Sequence, residues 1–410
     1  MSDPAVSQVQ VSGRNARGLW PERYEFIDAW RGLAALAVVL HHVAQVNVGG
    51  PAVMLFFVIS GYCIAASVDS CERKGLGFGR FMMRRVRRIY PPYLLSIVFW
   101  SATRYIKLKQ TGVNDFAKFG PLEWVQNITL TQWLTLMANP VAYAATNKTL
   151  FVAVYWSLCY EEQFYLVMGL MMLLTVVLKM SVLTMTTGLL GVGLVVNAAF
   201  PEVSCGLFIE YWALFAIGVL VFHRLCRIRS EGGRRAVDGG LVALLVASVY
   251  LRWFSGVEWS ADNPMLTHDQ RAETRIVYGE LAIASGFALV LIVMRPLSTR
   301  VSSLRLYKPL MLLGTITFSL YLIHQFNLNL IAKVAGKMLA VIPVIGRGVV
   351  NPEKTWYGLT LQIALHIALA SVFWFFCERP FLNKPLISER KPPREGSARA
   401  GDLPPSAGSA

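Results

Sequence analysis

The sequence predicts an all-α, polytopic integral membrane protein of about ten transmembrane helices with cytoplasmic N- and C-termini. Three observations carry that class. Apolar residues make up 55% of the 410-residue chain and charged residues only 15%. With a mean hydropathy of +0.49, this composition implies many long apolar runs rather than one soluble core. Runs of spanning length, roughly 17 to 25 residues, recur along the chain. Most of the 39 Lys and Arg fall in alternate connecting segments, as expected where cytoplasmic loops retain basic residues.

In order, the predicted spans are 33–48, 52–68, 91–106, 157–178, 181–199, 207–223, 238–254, 276–294, 309–332 and 356–377. The first 25 residues are polar and carry Arg14, Arg17 and Arg23. They lack a short apolar region followed by a small-residue cleavage site, so the first span serves as its own insertion signal. Residues 1–25 read as a cytoplasmic tail and 26–385 as one membrane domain. Residues 386–410, rich in Pro, Gly, Ser and charge, read as a disordered cytoplasmic tail. The net charge of +15 is mostly the topology signal. It argues against a nucleic-acid partner, because the basic residues alternate with spans instead of forming one face. Within the outer segment 107–156, "WVQNITLTQWLTLMANP" mixes apolar residues with Asn and Gln, which suits a re-entrant or interfacial helix better than a span. The six cysteines suggest no disulfide framework, and no spacing suggests a metal site.

The stretch "IDAWRGLAALAVVLHHVAQV", residues 27–46, places histidines in a run otherwise suited to lipid. Arg31 to His42 is eleven helical steps, roughly three turns plus 20°, so the two share a face and Asp28 joins it one turn earlier. His41 points about 100° away. His42 lies roughly 16 Å above Arg31, near mid-membrane if Arg31 marks the inner boundary. A stripe of acid, base and imidazole at that depth faces protein or water rather than lipid. The alternative is a packed imidazole bonded to a neighbouring carbonyl.

Four further stretches carry chemistry. In "GRFMMRRVRRIYPPY", residues 79–93, Arg84 pairs with Arg87 and Arg85 with Arg88 on common helical faces. Pro91 and Pro92 suit the start of the next span. Guanidinium forks match phosphate oxygens, although a positive-inside anchor on lipid headgroups also explains such a run. "YWSLCYEEQFYL", residues 155–166, sets Glu161 and Glu162 beside Gln163, Tyr160 and Tyr165; helix capping accounts for one acid but not easily for two. "TFSLYLIHQF" puts Tyr321 one turn from His324, and "FFCERPF" closes the last helix with Glu378 and Arg379. His366, a single imidazole among Leu, Ile and Ala, reads as structural.

Taken together and in this order, with "FFVISGYCI" after the first span, these stretches resemble the membrane-bound acyltransferase-3 family over about residues 25–385. The family's pattern of Arg, ten residues and His falls on Arg31 and His42, its RxxR on Arg85 and Arg88, and its Trp-Ser-Leu…Glu-Glu-Gln-Phe-Tyr pattern on residues 156–165. Cys159 and Tyr160 depart from it, standing where smaller residues are expected. The short tail resembles the stand-alone branch, without a fused extracytoplasmic domain. The resemblance implies a multi-pass enzyme of the bacterial cytoplasmic (inner) membrane. It would transfer an acyl group, usually acetyl from acetyl-CoA or another acyl-CoA, to a hydroxyl of a surface or secreted glycan or a lipid-linked saccharide, without a metal. In that picture His42 is general base or transient acyl carrier, oriented by Arg31 and Asp28. Arg84, Arg85 and Arg88 hold the coenzyme A phosphates, while Glu162, Tyr165 and His324 bind the acceptor. Small-molecule or N-acyl transfer by the same machinery stays open, as does a transporter that relays protons without acyl transfer. The acyl chain, the glycan and the oligomeric state are open too.

Overall fold

Every regular element among the described residues is helical. The computed structural model describes residues 24–138, 150–200, 206–254, 268–302, 304–305, 307–341 and 355–382. The helices are α1 (Glu25–Ala44), α2 (Gly49–Arg73), α3 (Phe78–Thr111), α4 (Pro121–Thr129), α5 (Trp133–Ala138), α6 (Trp156–Leu178) and α7 (Val182–Ala199). They continue as α8 (Trp212–Cys226), α9 (Glu231–Val249), α10 (His268–Met294), α11 (Ser298–Ser302), α12 (Tyr307–Ile323), α13 (Leu328–Ala340) and α14 (Trp356–Phe373).

Among the described residues seven helices are long and apolar enough to cross a membrane, or eight if one bent pair is a single span. Three of the ten predicted runs take other forms. Residues 91–106 belong to the 34-residue α3, whose first half is basic. Residues 207–223 yield the 15-residue α8, about 22 Å long and shorter than the hydrocarbon core. Residues 309–332 break into α12 and the segment from Gln325, bent by 62°. The outer segment forms α4 and α5, nine and six residues long, separated where Leu130 adopts a left-handed backbone (φ 57°). Beside them Asp115 binds Lys107 at 2.8 Å and Lys118 at 2.9 Å. Its partial burial opposes ionisation, but these ammonium groups prevail and hold its carboxyl at about 2. The predicted tails at 1–25 and 386–410 lie outside the described residues except for Tyr24 and Glu25.

Two boundaries move in ways that matter for the site. α1 starts eight residues before its predicted span and ends four residues before its close, at Ala44. The polar "EFIDAW" segment is helical because Phe26, Ile27 and Ala29 are buried against the bundle while Asp28 and Arg31 pair one turn apart. His42 therefore sits in the last turn of α1, not at its middle. Pro91 and Pro92 do not open a new helix; they lie inside α3. They remove the donors that would bond the Arg87 and Arg88 carbonyls, a loss membrane helices absorb through neighbouring groups.

Close glycine contacts set the core. A Cβ on Gly314 would lie 2.1 Å from the Asp28 carbonyl, and one on Gly32 would lie 2.8 Å from Gly314 N. Likewise a Cβ on Gly61 would meet the Phe215 carbonyl at 2.0 Å, and one on Gly218 the Val58 carbonyl at 2.0 Å. Small residues let helix backbones approach where no hydrophobic gradient drives association. Both pairs are parallel. Gly32 meets Gly314 and, ten residues on in each helix, His42 meets His324. Along α2 and α8, Phe57 meets Tyr211, Tyr62 meets Phe222 and Asp69 binds Arg227.

Candidate active site

Two polar clusters form at the two ends of the α1 face predicted to carry Asp28, Arg31 and His42. At the N-terminal end, an Arg31 nitrogen lies 4.0 Å from Asp28 Oδ1. The Cys63 thiol, on α2, is in electrostatic range of Arg31, Arg88, Asp28 and Arg85. Glu378 is in range of Arg88 and Arg31 and is buried. The Ser319 amide and hydroxyl donate to one of its oxygens at 3.1 and 2.5 Å. A π-turn over Trp374–Glu378 ends the last span; such widened turns redirect side chains at functional sites. Arg85 packs its guanidinium 5.9 Å from the Phe81 ring centre, and its buried Nε has no protein partner. The convergence of Arg31, Arg85 and Arg88 suits an anion with several oxygens, such as phosphate. Arg84 takes a different contact: its Nη1 lies 3.8 Å from Cys71 Sγ.

At the other end, the His42 and His324 ring centres are 5.2 Å apart. His41 turns aside as its helical position predicts, with Nδ1 2.6 Å from the Val46 carbonyl. His324 is fully buried at the bend between α12 and α13. Its Nδ1 lies 3.2 and 2.9 Å from the Leu320 and Tyr321 carbonyls. The Tyr321 hydroxyl donates to the Val154 carbonyl at 2.8 Å and lies 2.7 Å from Ser157 Oγ. His366, read from the sequence as structural, is also in electrostatic range of His324.

The first turns of α6 fan out between the clusters, because successive residues point about 100° apart. Glu161 accepts from Ser60 at 2.8 Å and from the Tyr165 hydroxyl. Tyr165 faces Arg85 and Arg88, and Tyr321 is in range of Glu161, so a polar band joins the two ends. Glu162 accepts from Tyr90 of α3, Tyr160 donates to Glu210, and Gln163 bonds the Gly206 carbonyl and the Phe208 amide at 3.0 and 2.7 Å. Glu162, Tyr165 and His324 thus do not form one group: Tyr165 belongs with the arginines, Glu162 with Tyr90, and His324 with His42. Sequence reasoning did not single out Cys63 or Ser60 for the site, and it read His366 as structural without the His324 contact that packing supplies. Among the described residues no group of three or more His, Cys, Asp or Glu could hold a metal ion.

Comparison with known proteins places this geometry in context. A family described as an acyltransferase domain, the acyltransferase-3 family, matches residues 24–376. Protein 2 in the picA locus of Rhizobium radiobacter is 29% identical over 153 residues, 34% of this chain and 78% of that protein. A Komagataeibacter xylinus protein named as a membrane-bound transacylase, BcsY, is 32% identical over 151 residues, 36% of this chain and 37% of that protein. No solved structure matches the chain.

Proposed function

This chain belongs to the acyltransferase-3 family and is a membrane acyltransferase, and on that premise we propose that it moves an acetyl group from acetyl-CoA to a hydroxyl of a surface or secreted glycan. One observation carries the donor assignment: three guanidiniums, among them Arg85 with its buried, unpartnered Nε, converge around Cys63, at the other end of the α1 face from the His42–His324 pair. Coenzyme A is a phosphorylated nucleotide on a long arm, so Arg31, Arg85 and Arg88 are suited to its phosphates. The thioester then reaches along α1, where Arg31 and His42 are roughly 16 Å apart.

His42 takes the proton of the attacking hydroxyl as general base. The hydroxyl oxygen bonds the thioester carbonyl carbon, the carbon–sulfur bond breaks, and the proton from His42 returns to the departing thiolate. Glu162 and Ser157 of the first turns of α6, with Tyr321 bonded to Ser157, are the groups offered to the acceptor. In this reading the chain lies in the bacterial cytoplasmic membrane with both termini inside. α3, α8 and the α12–α13 pair complete about ten crossings. The parallel pairing of α1 with α12 and of α2 with α8 supports that path, since it places the first and ninth, and the second and sixth, predicted spans in common directions.

The test is the alkali-releasable acetyl on surface and secreted glycans of cells lacking the gene, complemented with wild type or His42→Ala at equal membrane levels. Restoration by wild type alone is expected. If both versions restore the ester, His42 is not the base; if neither does, the glycan-acetyl reading fails.

A further inference from the structure

Four polar atoms of the residues at the α12 bend and on α14 are buried without a protein hydrogen-bond partner: His324 Nε2, Asn327 Oδ1, Gln362 Nε2 and His366 Nε2. Their residues sit on two packed elements, the α12 bend and α14. His324 is 0% and His366 1% exposed. The tautomers follow from their contacts. Nδ1 of His324 faces two carbonyls and Nδ1 of His366 lies 2.8 Å from the Gln362 carbonyl, so each Nδ1 carries the proton and each neutral ring presents an Nε2 lone pair. The His324 backbone also lies close to the His366 ring, outside hydrogen-bond geometry for Nε2. Asn327 spends its amide nitrogen on the Ile323 carbonyl at 2.9 Å, which aims only its oxygen elsewhere. His324 and His366 approach each other, Asn327 and Gln362 lie one helical turn from them, and four unpartnered polar atoms on two packed segments exceed a packing accident, because buried polar groups are almost always satisfied. Water supplies both donors and acceptors and typically makes about three bonds at such sites.

We propose that His366 is a positioning residue for the reacting imidazole: with Gln362 and Asn327 it binds water in a buried polar pocket against His324, and this network orients His324 and, through it, His42. The inference rests on the reading of His42 as the proton-accepting group. While His42 holds the hydroxyl proton, its neighbour His324 is kept in a fixed tautomer, and the proton leaves with the thiolate, so nothing else is consumed.

The experiment compares His366→Leu, which fills space without hydrogen bonding, with His366→Gln, which keeps polar atoms, in the full-length membrane protein. The network predicts that His366→Leu lowers kcat tenfold or more with KM for acetyl-CoA within twofold, and that His366→Gln recovers most of the loss. Wild-type kcat in His366→Leu, or His366→Gln no better than His366→Leu, overturns it in favour of plain packing. A second readout needs no substrate: carbethoxylation of His42 by diethyl pyrocarbonate, followed by mass spectrometry. Its rate is expected to change at least threefold in His366→Leu and to return in His366→Gln; an unchanged rate overturns the proposal. If His366→Leu does not accumulate, Gln362→Leu against Gln362→Glu gives the same contrast in both readouts. A wild type that turns over no acyl-CoA sinks the functional reading alone, since the His42 modification rates still decide this one.

Discussion

The two ends of α1 handle polarity in opposite ways. The N-terminal cluster gathers ionisable groups, Arg31, Arg85 and Arg88 with Asp28 and Glu378, and it stays partly open: the Arg31 and Asp28 side chains are 22% and 45% exposed. The histidine cluster is built of imidazoles and carbonyls, with His324 meeting His42, His366 and the Leu320 and Tyr321 carbonyls, and His324 and His366 are sealed from solvent. Fixed charge favours capture of an anionic substrate but is costly to bury. Imidazoles and hydroxyls can be buried neutral and still accept a proton when one is offered. In the proposed function, one helix face therefore serves binding at one end and proton transfer at the other.

That contrast breaks most completely where both clusters share a frame. Gly314→Val pushes a side chain into the Asp28 backbone, 2.1 Å from where its Cβ would stand. It is expected to abolish both acetyl-CoA binding and transfer and to lower the recovered folded protein, measured by size-exclusion profile and thermal melting in detergent. Next comes His42→Ala, expected to lower kcat by about 10²–10⁴-fold, the usual worth of a general base, with KM for acetyl-CoA little changed. Arg88→Ala should do the reverse. Losing a charge-assisted hydrogen bond worth about 1.5–3 kcal/mol raises KM by roughly 10–100-fold, whereas Arg84→Ala, at the Cys71 contact, should change it less than threefold. A KM effect from His42→Ala equal to that of Arg88→Ala would dissolve the division of labour.

The smallest expected effect lies outside both clusters. Asp115 has its folded carboxyl near 2, below the ordinary value of about 3.9. Its ion pairs thus stabilise the protein above about pH 4, and that contribution is lost as pH falls toward 2. Asp115→Asn should lower the melting temperature slightly at pH 7 and leave transfer unchanged, with the stability gap closing in acid. A large loss of transfer in Asp115→Asn would mean that the outer segment takes part in the site.

Legibility divides along the same physical line. Arg31, His42 and Asp28 could be read from spacing, because helical periodicity alone decides which residues of one helix share a face. That Arg85 and Arg88 share a helical face could be read from spacing, and that guanidiniums suit phosphate from chemistry. The approach of His366 to His324 could not, since it joins two segments far apart in the chain. The family resemblance puts Tyr165 with Glu162 and His324 on the acceptor, yet tertiary packing turns Tyr165 to the arginines and Glu162 to Tyr90. Glu378 reads in sequence as half of a Glu-Arg pair, but the π-turn buries it on Ser319 and leaves Arg379 over the Trp374 and Phe375 rings.

What the sequence determined by itself is the helical class, the family, and the polar residues that each helix carries on a common face, because composition and a 100° repeat are local properties. The tertiary structure alone decided which faces meet. Backbone contacts at Gly32 and Gly314 bring α1 alongside α12 and set His42 against His324, and such close approach depends on the shapes of two distant segments at once.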